Sequence, residues 1–290
     1  LCREHEQIGD AALYGRRMST TAVITGAGRG IGRALARHLA DVGHQVVVTD
    51  IDGDAAERVA AEIGCGAVGF AQDVRDIASH RMIAEEAATR GTLKVWVNNA
   101  GVLFAGDAWK QSDEEIATIL EVNVRGVMAG SAAAVAQMGA GGGAILNVAS
   151  ISALTPVPGL ALYAATKAAV LSYTTSLQGD LAHAGMPIRA RALCPDVVGT
   201  QMVTSHATDP GAAMLFSGPK PLDEDAVARA GMALIDSRQL FRVLPRWRGV
   251  LVRGVDVVPS IGLPMLRVMR KLGEGAPGPT RPTNPRSPPA

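Results

Sequence analysis

From Thr20 onward the chain alternates between short apolar runs and longer stretches with a helical apolar period. The runs 21–25, 45–49, 67–70, 93–97, 144–149 and 188–193 predict six strands. Between them, residues 33–41, 54–62, 76–90, 113–121, 124–138 and 160–183 predict helices. Strands that are apolar on both faces and joined by helices build a parallel sheet, because each crossover carries the chain back over a sheet face. Right-handed crossovers place helices on both faces. The expected fold is α/β: a doubly wound Rossmann fold with a mostly parallel sheet, one domain over residues 18–245.

After Gly199 the period is lost. Residues 204–221 are rich in Gly, Pro, Ser and Thr, and so long a stretch without a period reads as a lid or binding loop. The substrate-binding loop is drawn as residues 199–222. Residues 223–236 read as a helix and 241–244 as a last, edge-like strand. An apolar and basic C-terminal extension follows over 246–275, broken by Pro259, Gly262 and Pro264. Six of the last 14 residues are proline, so 276–290 reads as a disordered tail. Residues 1–17 read as a flexible extension ahead of Met18, a candidate natural start, and lack the order of a secretory signal.

Composition narrows the class. The chain has 290 residues, 48% hydrophobic and 19% charged, with a mean hydropathy of +0.18. Those values exclude a charge-rich disordered chain and a small disulfide scaffold. Cys2, Cys65 and Cys194 are widely spaced and form no C-x-x-C, which favours a reducing compartment and a cytoplasmic location. The net charge of +1 hides an asymmetry. From Gly231 onward there are ten Lys+Arg against three Asp+Glu, which leaves the first 230 residues with six excess negative charges. An acidic body excludes a whole-chain nucleic-acid footprint. The six histidines show no ligand spacing, and no metal site is predicted.

The first glycine cluster, Thr25-Gly26-Ala27-Gly28-Arg29-Gly30-Ile31-Gly32, follows a predicted strand and opens a helix. Helix N-termini present unpaired N–H groups and a positive dipole end, which suits a pyrophosphate. Glycines let the backbone approach the anion; the plainer alternative is a tight turn. Asp50 ends the second strand, 24 residues after Gly26, where a carboxylate accepts bonds from an adenosine ribose diol and repels a 2′-phosphate. Arg29 pulls the other way, since a guanidinium beside the loop pairs with that phosphate. Asp50 is the nearer determinant, and NAD is favoured over NADP.

Tyr163 and Lys167 stand four residues apart, on one helical face. An adjacent ammonium favours the phenolate of a tyrosine whose ordinary pKa is about 10. Such a pair exchanges a proton with an alcohol or forming alkoxide while hydride moves to or from a nicotinamide. Ser150 lies just past an apolar run, at the strand edge where open α/β sheets bind ligands. Structurally, Ser150 could simply cap a helix, and Lys167 could simply be solvated.

At this point the chain resembles the short-chain dehydrogenase/reductase family, over about residues 20–200. Thr25–Gly32 resembles the family's T-G-x-x-x-G-x-G cofactor loop. Asp73-Val74 resembles the pair whose carboxylate contacts adenine, and Asn98-Asn99-Ala100-Gly101 the N-N-A-G motif. By the same resemblance Asn123 holds a proton-relay water and Ser150 orients the substrate. Tyr163 and Lys167 match the Y-x-x-x-K acid/base and its partner, and Lys167 also binds the nicotinamide ribose. Residues 195–200 resemble P-G-x-V-x-T, which implies that Pro195, Val198 and Thr200 lie against the nicotinamide; Asp196 departs from it, standing where glycine is usual.

The resemblance implies a nicotinamide-dependent oxidoreductase with no metal. The alternative is a non-catalytic NAD-binding regulatory or scaffold protein, which would be expected to have lost Tyr163 or Lys167. Met202, Met214, Leu215 and Phe216 after the sixth strand, Phe104 and Trp109 opposite, and Leu154, Val157 and Leu160 near Tyr163 suggest an apolar pocket for a lipophilic secondary alcohol or ketone. Ordinary lid packing is the plainer alternative. A homodimer or homotetramer is expected. The C-terminal extension is expected to pack between subunits, cover the substrate mouth, or contact an anionic membrane surface.

Overall fold

A computed structural model describes residues 19–218, 220–257 and 259–274. The expectations for residues 1–17, for Met18 and for 276–290 lie outside the described residues.

Seven parallel strands form one sheet in the order β3-β2-β1-β4-β5-β6-β7. They are β1 Thr20–Thr25, β2 Gln45–Asp50, β3 Val68–Ala71, β4 Thr92–Asn98, β5 Gly143–Val148, β6 Ile188–Pro195 and β7 Phe241–Leu244. The sheet is parallel throughout, and the edge-like segment at 241–244 pairs with β6. This is the doubly wound Rossmann fold.

Alternate residues of each strand feed two cores, as a pleated sheet requires. Ile24, Val48, Val97 and Leu146 pack with Leu35 and Leu39 of α1 (Gly30–Asp41), Val59 of α2 (Gly53–Ile63) and Val227 further on. Their neighbours Val23, Val47, Trp96 and Ile145 face the opposite layer, with Ile83 of α3 (Ile77–Arg90) and Ala134. The helical run 113–141 is long and apolar enough to cross a membrane by length and composition. Part of it packs on β4 and α3, which accounts for its apolar residues.

That run comprises α4 (Asp113–Leu120), a π-helical turn (Glu121–Gly126) and α5 (Val127–Met138). Sequence periodicity reads two helices here; the structure joins them through the wider turn. Next come α6 (Ala161–His183), the short α7 (Gln201–Thr204), α8 (Glu224–Ile235), α9 (Arg246–Val257) and α10 (Pro259–Glu274). Pro264 lies inside α10 rather than ending it. Between α7 and α8 the expected loop contains a 3₁₀ segment, Pro210–Phe216.

Side-chain caps set four of the helix starts. Asp52, Asp76 and Asp223 each accept a backbone N–H at the first turn of α2, α3 and α8, and Ser112 with Glu115 makes a capping box on α4. Cys194 is free and buried, whereas Cys65 is disulfide-bonded.

Candidate active site

The C-terminal ends of β1, β2, β4, β5 and β6 open into one cavity of about 750 Å³. It lies where the strand order reverses between β1 and β4, the usual ligand edge of an open α/β sheet. Every predicted site residue except Asn123 lines this cavity.

The glycine loop is fastened to the N-N-A-G segment. The Asn99 amide donates to the carbonyls of Thr25 (3.0 Å) and Gly26 (2.8 Å), and Thr25 Oγ1 accepts from the N–H groups of Asn99 and Ala100. Gly26 has φ +61°, and a Cβ there would lie 2.6 Å from Ala100 Cα, so only glycine fits. Gly30, at φ +59°, opens α1. Unlike α2, α3, α4 and α8, α1 has no side-chain cap on Arg29, so its first-turn N–H groups stay available to an anion. The Arg29 guanidinium instead donates to Gln201 Oε1 at 2.6 Å, tying the loop to α7. Ile31 lines the cavity and packs against the core beneath.

Asp50 ends β2 and is buried. One oxygen accepts from Gly28 N–H at 2.9 Å and the other from Asp52 N–H at 3.1 Å. A carboxylate has about four acceptor positions, which leaves room for a diol. Asp73 is already charge-paired: Arg75 donates to Oδ2 at 2.6 and 2.9 Å, and this holds the carboxyl below its usual range. Val74 beside it is buried. Gln72, absent from the sequence reading, is buried in the same wall and accepts from Thr49 Oγ1 at 2.7 Å.

Tyr163 and Lys167 project from the first turns of α6. Lys167 is buried; its Nζ donates to the Val148 carbonyl at 2.9 Å and lies 5.7 Å from the Tyr163 ring centroid. Burial lowers the ammonium from its usual 10.5 to about 8. Burial also pushes the Tyr163 phenol up to about 12, against a smaller downward pull from its hydrogen bond with Ser150. The expected depression of the tyrosine by the neighbouring ammonium is thus not found, because desolvation of the phenolate dominates. Ser150 accepts from Ser152 N–H at 3.2 Å, so it caps the following turn, and it lines the same cavity as Tyr163.

Asn123 sits in the π-helical turn, a feature that recurs at functional sites. Its amide is committed to protein: Oδ1 accepts from Val102 N–H at 2.8 Å, and Nδ2 donates to the Val102 carbonyl (2.9 Å) and Thr166 Oγ1 (3.1 Å). A Cβ on Gly101 would stand 3.2 Å from Asn123 Oδ1 and 3.5 Å from Lys167 Nζ. Gly101 thus lets these two elements approach.

Pro195 closes β6, Val198 is buried and bridges to Leu222, and Thr200 precedes α7 with its methyl 3.3 Å from where a Gly30 Cβ would be. Asp196 pairs with Arg248 of α9 at 2.9 Å; the two side chains are 8% and 15% exposed. Covering the substrate mouth was one of the alternatives expected for this extension, although Arg248 was not expected as a site residue. Leu251 and Val252 of α9 and Met265, Leu266 and Met269 of α10 also line the cavity. The regional charge excess was the available signal. Met202, Met214, Leu215, Phe104, Val157 and Leu160 line the cavity as expected. Trp109 does not: it is 80% exposed, outside the cavity wall. Leu154 is buried beside the site, and Phe216 lies outside the lining.

The sequence model of the short chain dehydrogenase family matches residues 20–211. The chain belongs to that family. This dehydrogenase is 32% identical over 228 residues to a 3-beta-hydroxysteroid dehydrogenase of Comamonas testosteroni, covering 78% of this chain and 87% of the relative. It is 37% identical over 182 residues to a meso-2,3-butanediol dehydrogenase of Serratia marcescens, covering 62% and 72%. Among solved structures, a 3-ketoacyl-(acyl-carrier-protein) reductase from Brucella melitensis complexed with NADH superposes with a TM-score of 0.68 at 34% identity. That match covers 79% of this chain and 98% of the other. Membership makes the protein an oxidoreductase that uses a nicotinamide cofactor.

Proposed function

We propose that this dehydrogenase transfers hydride between NAD(H) and a lipophilic secondary alcohol or ketone. One observation carries the reading: a single cavity joins Asp50 and the uncapped start of α1 to Ser150, Tyr163 and Lys167, and then to an apolar wall. The residues present fit a dinucleotide. The glycine loop leaves a cradle that side chains would fill, free N–H groups suit the pyrophosphate, and the Asp50 carboxylate suits an unphosphorylated ribose. Gly26, Gly30, Asn99, Ala100 and Gly101 would hold its middle, and Lys167, Val198 and Thr200 its nicotinamide end. Bound there, the cofactor supplies or accepts the hydride.

This chain's residues manage the substrate oxygen. The Tyr163 hydroxyl donates to a carbonyl oxygen, or takes the proton from an alcohol. Ser150, on the same cavity wall, binds the same oxygen and fixes its direction. Lys167 keeps a positive charge in the dry site, where it favours the alkoxide-like charge that develops. Asn123 holds the segment at Val102 against Thr166 of α6. A scaffold that only bound NAD would gain nothing from a buried lysine whose charge is costly to keep.

The lipophilic class rests on Phe104, Val157, Leu160, Met202, Met214 and Leu215 around the cavity. A panel of secondary alcohols and ketones with NAD(H) and NADP(H), read by nicotinamide absorbance, tests the proposal. Turnover of lipophilic members with NAD(H) is expected. Turnover of none, or of polyols only, overturns it.

A further inference from the structure

We propose that α9 and α10 form a docking surface for an anionic lipid bilayer, from which substrate enters the cavity. The proposal rests on the oxidoreductase reading only for the nature of what enters. Both helices use one face to close the site: Arg248 pairs with Asp196, Arg270 with Asp107 at 3.6 Å, and Leu266 is buried. Their other faces remain apolar. On α9, Trp247, Val250 and Leu251 are exposed; on α10, Met265, Val268 and Leu272 are exposed. These positions repeat at three- and four-residue steps, so each set forms a stripe along its helix.

Two of these residues place the stripes at the cavity mouth. Leu251 is 50% exposed and Met265 41% exposed, yet both also line the cavity. A residue that does both stands at the opening, and the exposed surface is therefore continuous with the apolar interior. Exposed cations lie on the same two helices: Arg246 and Arg253 on α9, the latter 5.3 Å from the Phe241 ring, and Arg267 and Lys271 on α10. None of the four makes an ion pair among the described residues, while Arg248 and Arg270 are occupied in anchoring the helices.

An apolar stripe with a tryptophan and flanking Arg and Lys is the pattern of a helix lying in a membrane interface. The cations select anionic headgroups. A protein seated on this face would seal the mouth, whereas a bilayer both covers the apolar residues and holds lipophilic alcohols or ketones. Charge and continuity with the cavity thus favour lipid over a second copy of the chain.

The test is flotation of the full chain with vesicles of phosphatidylcholine alone or mixed with phosphatidylglycerol. Binding to the mixed vesicles is expected, with weaker binding at high salt. The double substitution Val250→Asp and Val268→Asp touches neither cavity nor anchor. It should weaken vesicle binding at least about tenfold, while turnover of a water-soluble substrate is retained. No binding to anionic vesicles, or equal binding by the variant, overturns the proposal. So does a variant that only converts a dimer to a monomer by light scattering, which assigns the face to a second copy. Vesicle binding is read without turnover, so the assignment of activity stands or falls separately.

Discussion

Asp196 and Arg248 meet at 2.9 Å with little solvent around them, joining the loop after β6 to the first helix of the C-terminal extension. The family's usual glycine at this position carries no charge to pair. Here the carboxylate also accepts from Val197 N–H at 2.9 Å, so the pair fixes loop and extension together. Breaking one side of a buried pair leaves the other charge desolvated and unpaired, at a cost of about 3 kcal/mol or more. Arg248→Met should therefore lower unfolding stability by roughly that amount. Asp196→Gly with Arg248→Met should recover most of it, because both charges are gone. Urea unfolding reads this, and equal stability of the single variant and wild type would show that the pair is not formed.

Tyr163→Phe removes the proton-exchanging hydroxyl and leaves the ring in place. Turnover should fall about 10²–10⁴-fold. NADH affinity should stay within about twofold of wild type, because the ring and Lys167 still shape the site. Fluorescence titration and steady-state rates separate the two effects. A variant that turns over normally rules out Tyr163 as the acid/base.

With the phenol at about 12 and the ammonium at about 8, Tyr163 carries its proton at neutral pH. That state suits proton donation to a carbonyl, whereas alcohol oxidation needs the proton removed. Oxidation kcat/KM should rise with pH and still be climbing above about pH 9, since the free-enzyme profile reports the free-enzyme pKa. Ketone reduction should be fastest near neutrality. A plateau of oxidation at pH 7 would contradict the upward shift of Tyr163.

Much of this was legible in the chain itself, for physical reasons. Strands such as 93–97 announce themselves because both their faces are buried, and glycines 26 and 30 because a tight turn excludes side chains. Tyr163 and Lys167 are readable because helical spacing alone brings them to one face. Three things were hidden. The π-helical turn around Asn123 changes hydrogen bonding without changing the apolar pattern. The pairing of Asp73 with Arg75 is local but depends on side-chain rotamers. Arg248 reaches Asp196 across 52 positions, and nothing in either segment's period encodes that meeting.

The proposed preference for NAD rests on Asp50. Its carboxylate sits against Gly28 N–H and repels a 2′-phosphate. NADH should bind more tightly than NADPH. Asp50→Ala should shrink that ratio at least about tenfold, since like-charge juxtaposition costs several kcal/mol. Both cofactors should bind less tightly than NADH does to wild type, because Gly28 loses its acceptor. Tighter NADPH binding by the wild type would reverse the assignment.

Lys167 gives the last prediction, on stability. Its pKa falls from 10.5 to about 8 in the folded chain because burial penalises the charge. Between those values the unfolded chain binds more protons than the folded one, so this group makes stability rise with pH from about 8 to 10.5. Below about pH 8 the folded state carries the full penalty, roughly 3 kcal/mol at 1.36 kcal/mol per pKa unit. Lys167→Met keeps the stem and removes the charge. It should abolish turnover yet raise the melting temperature at pH 7, less whatever is lost by leaving the Val148 carbonyl without its donor. The advantage should shrink as pH approaches 10, where wild-type Lys167 is neutral when folded. Calorimetry at pH 7 and pH 10 reads both points, and a gain that grows with pH would mean that the folded site stabilises the ammonium.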